Sequence, residues 1–448
     1  MRIVIIGGIA AGMSAAAKAR RINPTAEVIV YEKGQIVSFG ACGLPYYIGG
    51  FFADAEEMLD RSIEKHRASG IDVRIGQEVM KVDFSSKKLW IRDVSCLDCG
   101  EALREETYDK LVIATGANVV RPPIPGLDLP NVHFLTKMAD GKALRELSER
   151  APNQNVVVIG GGYIGIEVVE AMVHQGHKVR VIEGGARILS ASFDVEMTNI
   201  LEEHIRDQGV DLRLNEKVLR LEGTDAVEKV VGENGEYPAD FVIVATGVRP
   251  ATEIFKETGL HMLPNGAVVV NERGETNIPD VYSAGDCATV WHRVRKEPMY
   301  LPLATGANKL GRIVGENASG GDETYPGTLA TAAIRVMELE AGRTGIGEQE
   351  AIQLGIPYKA LVVKDRNHAS YVPGQAPIWI KLIVNKETRV LLGAQTLSQS
   401  GAVLRIDALA VAIHQEMRVD ELRYMDFAYA PPFARMWEAM NIAASALK

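Results

Sequence analysis

Cys42 stands in the stretch SFGACGLPYY, and the other three cysteines of the chain, Cys96, Cys99 and Cys287, are remote from it in sequence. A lone thiol is more often a small buried hydrophobe than a nucleophile, so its chemistry depends on what the rest of the chain binds. Two glycine loops bear on that question. In RIVIIGGIAAG, Gly7 and Gly12 hold the outer positions of a G-x-G-x-x-G turn, with Ile9 in the middle place. In NVVVIGGGYIG all three glycines are present, as Gly160, Gly162 and Gly165. Such a turn brings free N–H groups at a helix N-terminus to a pyrophosphate. The strand EVIVYE ends at Glu32, 20 residues after Gly12, and KVRVIE ends at Glu183, 18 after Gly165. A carboxylate at that place accepts both ribose hydroxyls of an adenine dinucleotide. Glu183 also repels a 2′-phosphate, so NADH is expected, with NADPH admitted if Arg187, four residues on, reaches that phosphate.

Each loop opens a unit that closes on a similar strand, YDKLVIATGANVV in the first and ADFVIVATGVRP in the second. This is duplication at the scale of a Rossmann-like domain. Two such units imply two dinucleotides, most simply a flavin and a nicotinamide exchanging a hydride. The candidate flavin contacts are Gly7, Gly8, Ala11, Gly12, Glu32, Lys33, Thr115 and Gly116; those for NADH are Gly160, Gly162, Gly165, Glu183 and Gly247. In IPDVYSAGDCA, Asp286 can accept a hydrogen bond from a ribityl hydroxyl while Gly285 lets the backbone approach, or Asp286 caps a following helix.

The chain of 448 residues is 47% hydrophobic with 43 glycines, which fits an α/β protein of several domains with a full core. A net charge of -9 argues against a general nucleic-acid binder. No apolar run reaches the length needed to span a bilayer, and the N-terminus runs into a strand, a turn and a helix rather than a signal peptide. Four cysteines in so long a chain suggest a reducing cytoplasm. Cys96 and Cys99, in CLDCG, lack a second pair to complete a zinc site and read as a turn; no metal is expected.

With these motifs in this order, almost the whole chain resembles the pyridine nucleotide-disulfide oxidoreductases. Members with two active-site cysteines carry the partner four positions on, where this chain has Tyr46. The resemblance is therefore to the single-cysteine branch, which contains NADH oxidases and peroxidases, coenzyme A-disulfide reductases and related sulfur or persulfide reductases. In that branch the cysteine faces the flavin and alternates between thiolate and a bond to oxygen, as a sulfenic acid, or to sulfur, as a mixed disulfide. The oxidases and peroxidases carry a histidine where this chain has Ala10. The segments GGIAAG, SFGACGLPYYIG, HASYVPG and DFAYAPPF match the coenzyme A-disulfide reductases.

That resemblance implies three catalytic residues: Cys42, together with Tyr371 and Tyr429 reaching in from a partner subunit to hold or protonate a leaving thiolate. It places coenzyme A contacts at Ser14, Lys18, Arg21 and Ser38. Cys42 is expected to open a helix whose dipole, with an oxidised flavin, lowers the thiol pKa. NADH would reduce FAD, and the reduced flavin would cleave a mixed disulfide on Cys42. The implied organisation is a discontinuous FAD domain, 1–112 and 245–322, an NAD(P)H domain, 113–244, and an α+β dimerisation domain, 323–448. The partners implied are a small disulfide, polysulfide or persulfide and a second copy of the chain. An NADH oxidase, or a non-catalytic redox-sensing flavoprotein, stands as the alternative.

Overall fold

Short Ile- and Val-rich runs, apolar on both faces, become central strands of parallel sheets. The computed structural model describes residues 1–95 and 102–447, so Cys96 and Cys99 lie outside the described residues. Arg2–Ile6 is the centre of a parallel sheet in the order Val281–Ser283, Lys110–Ile113, Arg2–Ile6, Glu27–Glu32, Ile71–Ile75. Asn155–Ile159 holds the same place in a second sheet, ordered Asp211–Arg213, Lys178–Ile182, Asn155–Ile159, Phe241–Val244, Val132–His133. The duplication extends to an antiparallel meander inserted in each unit, from Gln77–Asp83 to Arg104–Thr107 in the first and from Val218–Glu222 to Glu236–Pro238 in the second.

Ala117–Val119 and Val248–Pro250, which follow the two ATG segments, pair antiparallel, so the chain enters and leaves the second unit side by side. Val281–Ser283 then returns to the first sheet beside Lys110–Ile113. Helix Ala304–Ala318 packs on helix Ala10–Ile22 so closely that a Cβ on Gly311 or Gly315 would strike the carbonyls of Ala11 and Ala15.

The C-terminal region is an antiparallel sheet in the order Ala332–Val336, Leu339–Gly345, Leu391–Ser398, Pro377–Asn385, Tyr358–Arg366, covered by helix Ala402–His414. Its Ile334, Val336, Leu339, Ala341 and Leu397 share one apolar core with the second nucleotide unit. Phe39, Leu44, Tyr47 and Ile48, around the lone thiol, join that core rather than the core of the first sheet. A polar tie reinforces the joint. Lys381, fully buried, meets Asp194 at 3.2 Å, Glu196 at 2.7 Å and Glu348, while Gln395 Nε2 donates to Asp194 at 2.9 Å.

Candidate active site

The two nucleotide loops fold alike. Gly7 and Gly160 adopt φ of 105° and 110°, and a Cβ on either would run into the carbonyl of Ala114 or Ala245. Gly12 and Gly165 press in the same way on the carbonyls of Gly7 and Gly160. Around Gly162, Gly116 and Gly247 a Cβ would meet nothing within 4 Å, leaving open backbone for a ligand. The carboxylate of Glu32 accepts from Gly8 N–H at 2.7 Å and Gly34 N–H at 2.6 Å; Glu183 accepts from Gly161 at 2.7 Å and Gly185 at 2.6 Å. Each oxygen retains acceptor capacity for a ribose diol. Arg187 is turned away, donating to Phe193 O at 3.1 Å and Thr198 Oγ1 at 3.2 Å, so its guanidinium is engaged within the second unit.

Polar groups without partners collect beside the first loop. Thr115 Oγ1 is buried and unbonded, and its backbone nitrogen lies 3.4 Å from where a Gly7 Cβ would stand. Gly285, at φ 87°, packs on Ala11, and the next residue, Asp286, has a carboxyl whose pKa burial pushes up. Among the described residues no donor reaches that carboxyl, and a ligand hydroxyl would satisfy it. The chain after Asp286 turns into strand Thr289–His292, so Asp286 caps no helix. Lys33 is exposed beside Glu32. Cys287 is fully buried, its Sγ 3.5 Å from the Ile113 carbonyl, and acts as packing.

Cys42 lies in a single 3-10 turn, Ala41–Gly43, which leads into the helix Leu44–Ile48 with Pro45 in its first turn. Its thiol is open to solvent, yet its pKa is raised, first by the protein crowded round it and then by the negative charges of Glu167 and Asp286. The helix part of the sequence-based expectation is thereby corrected: a helix of five residues carries little dipole, and crowding first, then the two carboxylates, outweigh it. The expected contribution of an oxidised flavin belongs to the FAD-loaded protein. Those carboxylates come from opposite sides: Asp286 from the first unit, Glu167 from helix Tyr163–His174 of the second. Pro45, Tyr46, Phe51, Ala171, Glu167 and Glu170 line a narrow crevice. Burial and the neighbouring Glu170 push Glu167 up to about 7. Glu170 is held by Met337 N–H and Arg335 Nε, each at 3.2 Å. The sequence offered one signal for this pair: Glu167 and Glu170 lie three apart on the helix that the second loop opens, hence on one face.

Tyr371 and Tyr429 lie near each other, the Tyr371 phenol raising the pKa of Tyr429, and both are exposed, at 73% and 45%. Phe433, Met436 and Trp437 extend the same exposed apolar region. The two tyrosine segments are joined by Ala369 N–H donating to Pro431 O at 3.1 Å. Arg405 also ties them, donating to Asn367 O at 3.0 Å and Phe433 O at 3.4 Å while pairing with buried Glu438. Sequence reading missed Arg405, which looks like any basic residue of an amphipathic helix. His368 turns its Nδ1 to Ala369 O rather than to a tyrosine.

The expected coenzyme A contacts divide. Ser14 Oγ accepts from Asn308 Nδ2 at 3.0 Å and Lys18 pairs with Glu316 at 2.7 Å, both across the groove to helix Ala304–Ala318. Arg21 is exposed, its Nε on Ala17 O at 3.3 Å. Ser38, at φ 52°, hydrogen-bonds buried His66 Nε2 at 2.8 Å. A phosphate arriving at Lys18 would have to compete with Glu316.

Among the described residues no helix is long and apolar enough to cross a membrane, and no cluster of three or more His, Cys, Asp or Glu could hold a metal. Residues 1–308 match the family model of pyridine nucleotide-disulphide oxidoreductases, and residues 331–441 match that family's dimerisation domain. The chain belongs to this family of flavin-dependent oxidoreductases, whose cofactors are FAD and NAD(P)H. It is 39% identical, over 100% of its length and 98% of the relative's, to a CoA-dependent NAD(P)H sulfur oxidoreductase of Pyrococcus abyssi. It is 34% identical, over 100% and 99%, to an NADH oxidase of Enterococcus faecalis. Among solved structures, an NAD-dependent persulfide reductase from A. fulgidus superposes with a TM-score of 0.94 at 34% identity, over 100% of this chain and 83% of the other.

Proposed function

We propose that this protein uses NADH, through bound FAD, to reduce coenzyme A disulfide or a related polysulfide or persulfide, with Cys42 as its one redox-active thiol. The observation that carries the reading is the position of Cys42: accessible, without a neighbouring thiol among the described residues, and under the influence of carboxylates from both dinucleotide units. The net reaction is NADH + H⁺ + R–S–S–R → NAD⁺ + 2 R–SH. The first glycine loop, Glu32, Thr115 and Asp286 would hold FAD, which when bound would pass the two electrons of NADH to the Cys42–S–S–R bond, freeing the second R–SH and restoring the Cys42 thiolate. Cys42 attacks one sulfur of the substrate, the S–S bond breaks, and a Cys42–S–S–R mixed disulfide forms as R–S⁻ departs. Tyr429, from a partner subunit, donates a hydrogen bond to the departing sulfur, a phenol being protonated at neutral pH. Ser14, Lys18, Arg21 and Ser38 hold the coenzyme A moiety. Glu183 favours NADH over NADPH.

Ala10 is a methyl group where peroxide chemistry would call for a proton-handling side chain, which favours sulfur over oxygen as the partner of Cys42. The NADH oxidase relatives support the second reading, oxygen reduction at the flavin. Anaerobic NADH consumption separates the two. The flavoprotein should turn over with coenzyme A disulfide or polysulfide in the absence of oxygen, and Cys42→Ser should keep its FAD but lose that activity. Anaerobic turnover undiminished in Cys42→Ser would remove the thiol from the mechanism. Mixing Cys42→Ser with Tyr429→Phe subunits should restore one intact site per heterodimer; heterodimers without activity would place the tyrosine elsewhere.

A further inference from the structure

The helix Leu44–Ile48 that follows Cys42, and the turn after it, present carbonyls that also accept from outside their own unit. Arg145, on helix Met138–Glu149, donates Nη1 to Phe52 O at 2.8 Å and to Tyr47 O and Ala53 O at 3.3 Å each. Its guanidinium also lies over the Tyr47 ring, 4.6 Å from the centroid, and its Nε is steadied by Glu149 at 2.8 Å. Gln175, just past helix Tyr163–His174, donates to Ile48 O at 3.3 Å. Packing follows the same direction. A Cβ on Gly141 would stand 2.5 Å from Leu44 Cδ2, a Cβ on Gly49 would stand 3.2 Å from Ala171 Cα, and Phe51 stacks on His174 at 4.4 Å. Five consecutive helical residues cannot hold a position by themselves. The cysteine segment is thus built onto the second nucleotide unit, although it precedes that unit by some 100 residues in the chain.

We infer that Arg145 is a positioning residue for Cys42: by gathering the carbonyls of Tyr47, Phe52 and Ala53, it fixes the thiol-bearing turn against the NADH-binding unit. The inference rests on the proposed role of Cys42 as the reacting thiol. Arg145 suits the task because one planar cation with fixed donors can serve several carbonyls at once. A misplacement of about 1 Å at a reacting atom can cost on the order of 100-fold in rate.

The test compares the FAD-loaded wild type, Arg145→Met and Arg145→Lys in three assays: anaerobic coenzyme A disulfide reduction, NADH–ferricyanide turnover, which bypasses the thiol, and the pH profile of Cys42 alkylation by iodoacetamide. Arg145→Met should keep ferricyanide turnover and lose disulfide kcat by about tenfold or more. Its Cys42 alkylation should quicken at every pH across the profile as the thiol-bearing turn loosens. Arg145→Lys, which can still reach one or two carbonyls, should recover part of both. Wild-type disulfide kcat and alkylation profile in folded Arg145→Met would overturn the inference, as would an equal loss of ferricyanide turnover, which would mark a general structural role. Cys42→Ser run in parallel separates the two claims. If it retains disulfide reduction, the proposed function fails, while the alkylation profiles still report whether Arg145 positions Cys42.

Discussion

Replacing Glu167 with Gln keeps the shape of the protonated acid and deletes the charge that bears on Cys42. Glu167 has its pKa lifted from 4.5 to about 7, by burial first and by Glu170 second. At 1.36 kcal/mol per unit, this rise corresponds to about 3 kcal/mol between the two protonation states. The sign follows from linkage: a carboxyl whose folded pKa is raised gives its full stabilisation below pH 4.5 and loses it as pH climbs through about 7. Guanidinium unfolding of the flavoprotein at pH 5 and pH 8 should therefore show wild type losing about 2.5 kcal/mol more than Glu167→Gln over that interval. The same substitution should lower the pH midpoint of Cys42 alkylation, since the charge of Glu167 is the second largest cause raising that thiol's pKa. Equal pH dependence of stability in the two proteins, together with an unmoved alkylation midpoint, would refute the electrostatic account of the crevice.

Glu183→Ala should raise KM for NADH and relax the NADH-to-NADPH ratio by about tenfold or more, since hydrogen bonds to a charged group contribute about 1.5–3 kcal/mol; an unchanged ratio of kcat/KM values would remove Glu183 from the ribose site. Arg405→Met should cost about 3–5 kcal/mol, because it leaves Glu438 buried and unpaired, and it should slow thiol release by freeing the two tyrosine segments. Unfolding curves and single-turnover thiol release check the two parts. Lys381→Met leaves Asp194, Glu196 and Glu348 together without their shared cation and should cost about 3–5 kcal/mol in unfolding curves. An unchanged unfolding midpoint would show that the tie contributes nothing to the joint.

The nucleotide units were legible because their signals are local. A strand, a glycine turn and an acid some 20 residues on are dictated by backbone geometry, and the structure realises both copies with φ angles at Gly7 and Gly160 that agree within 5°. The three long C-terminal strands were equally plain. Strands Tyr358–Arg366, Pro377–Asn385 and Leu391–Ser398 are each built around a short aliphatic stretch, and the helix Ala402–His414 follows them. The thiol's environment could not be read in this way. Cys42, Glu167 and Asp286 are separated by more than 100 residues, and only folding brings their charges to bear on one another. The pairing of Lys18 with Glu316 was hidden for the same reason: the helix face was visible, but its opposing wall lies almost 300 residues away. Arg145 and Arg405 carry no motif at all. Their roles depend on carbonyls presented by other segments, which no spacing in the sequence encodes.

The central claim is that Cys42 forms a covalent bond to substrate sulfur, and mass spectrometry of the protein after anaerobic exposure to coenzyme A disulfide tests it most directly. The account requires one coenzyme A per chain, located by peptide mapping on Cys42 and released on adding NADH. Protein that turns over the disulfide with NADH yet never carries an adduct on Cys42, or carries it on Cys96, Cys99 or Cys287 instead, would contradict it.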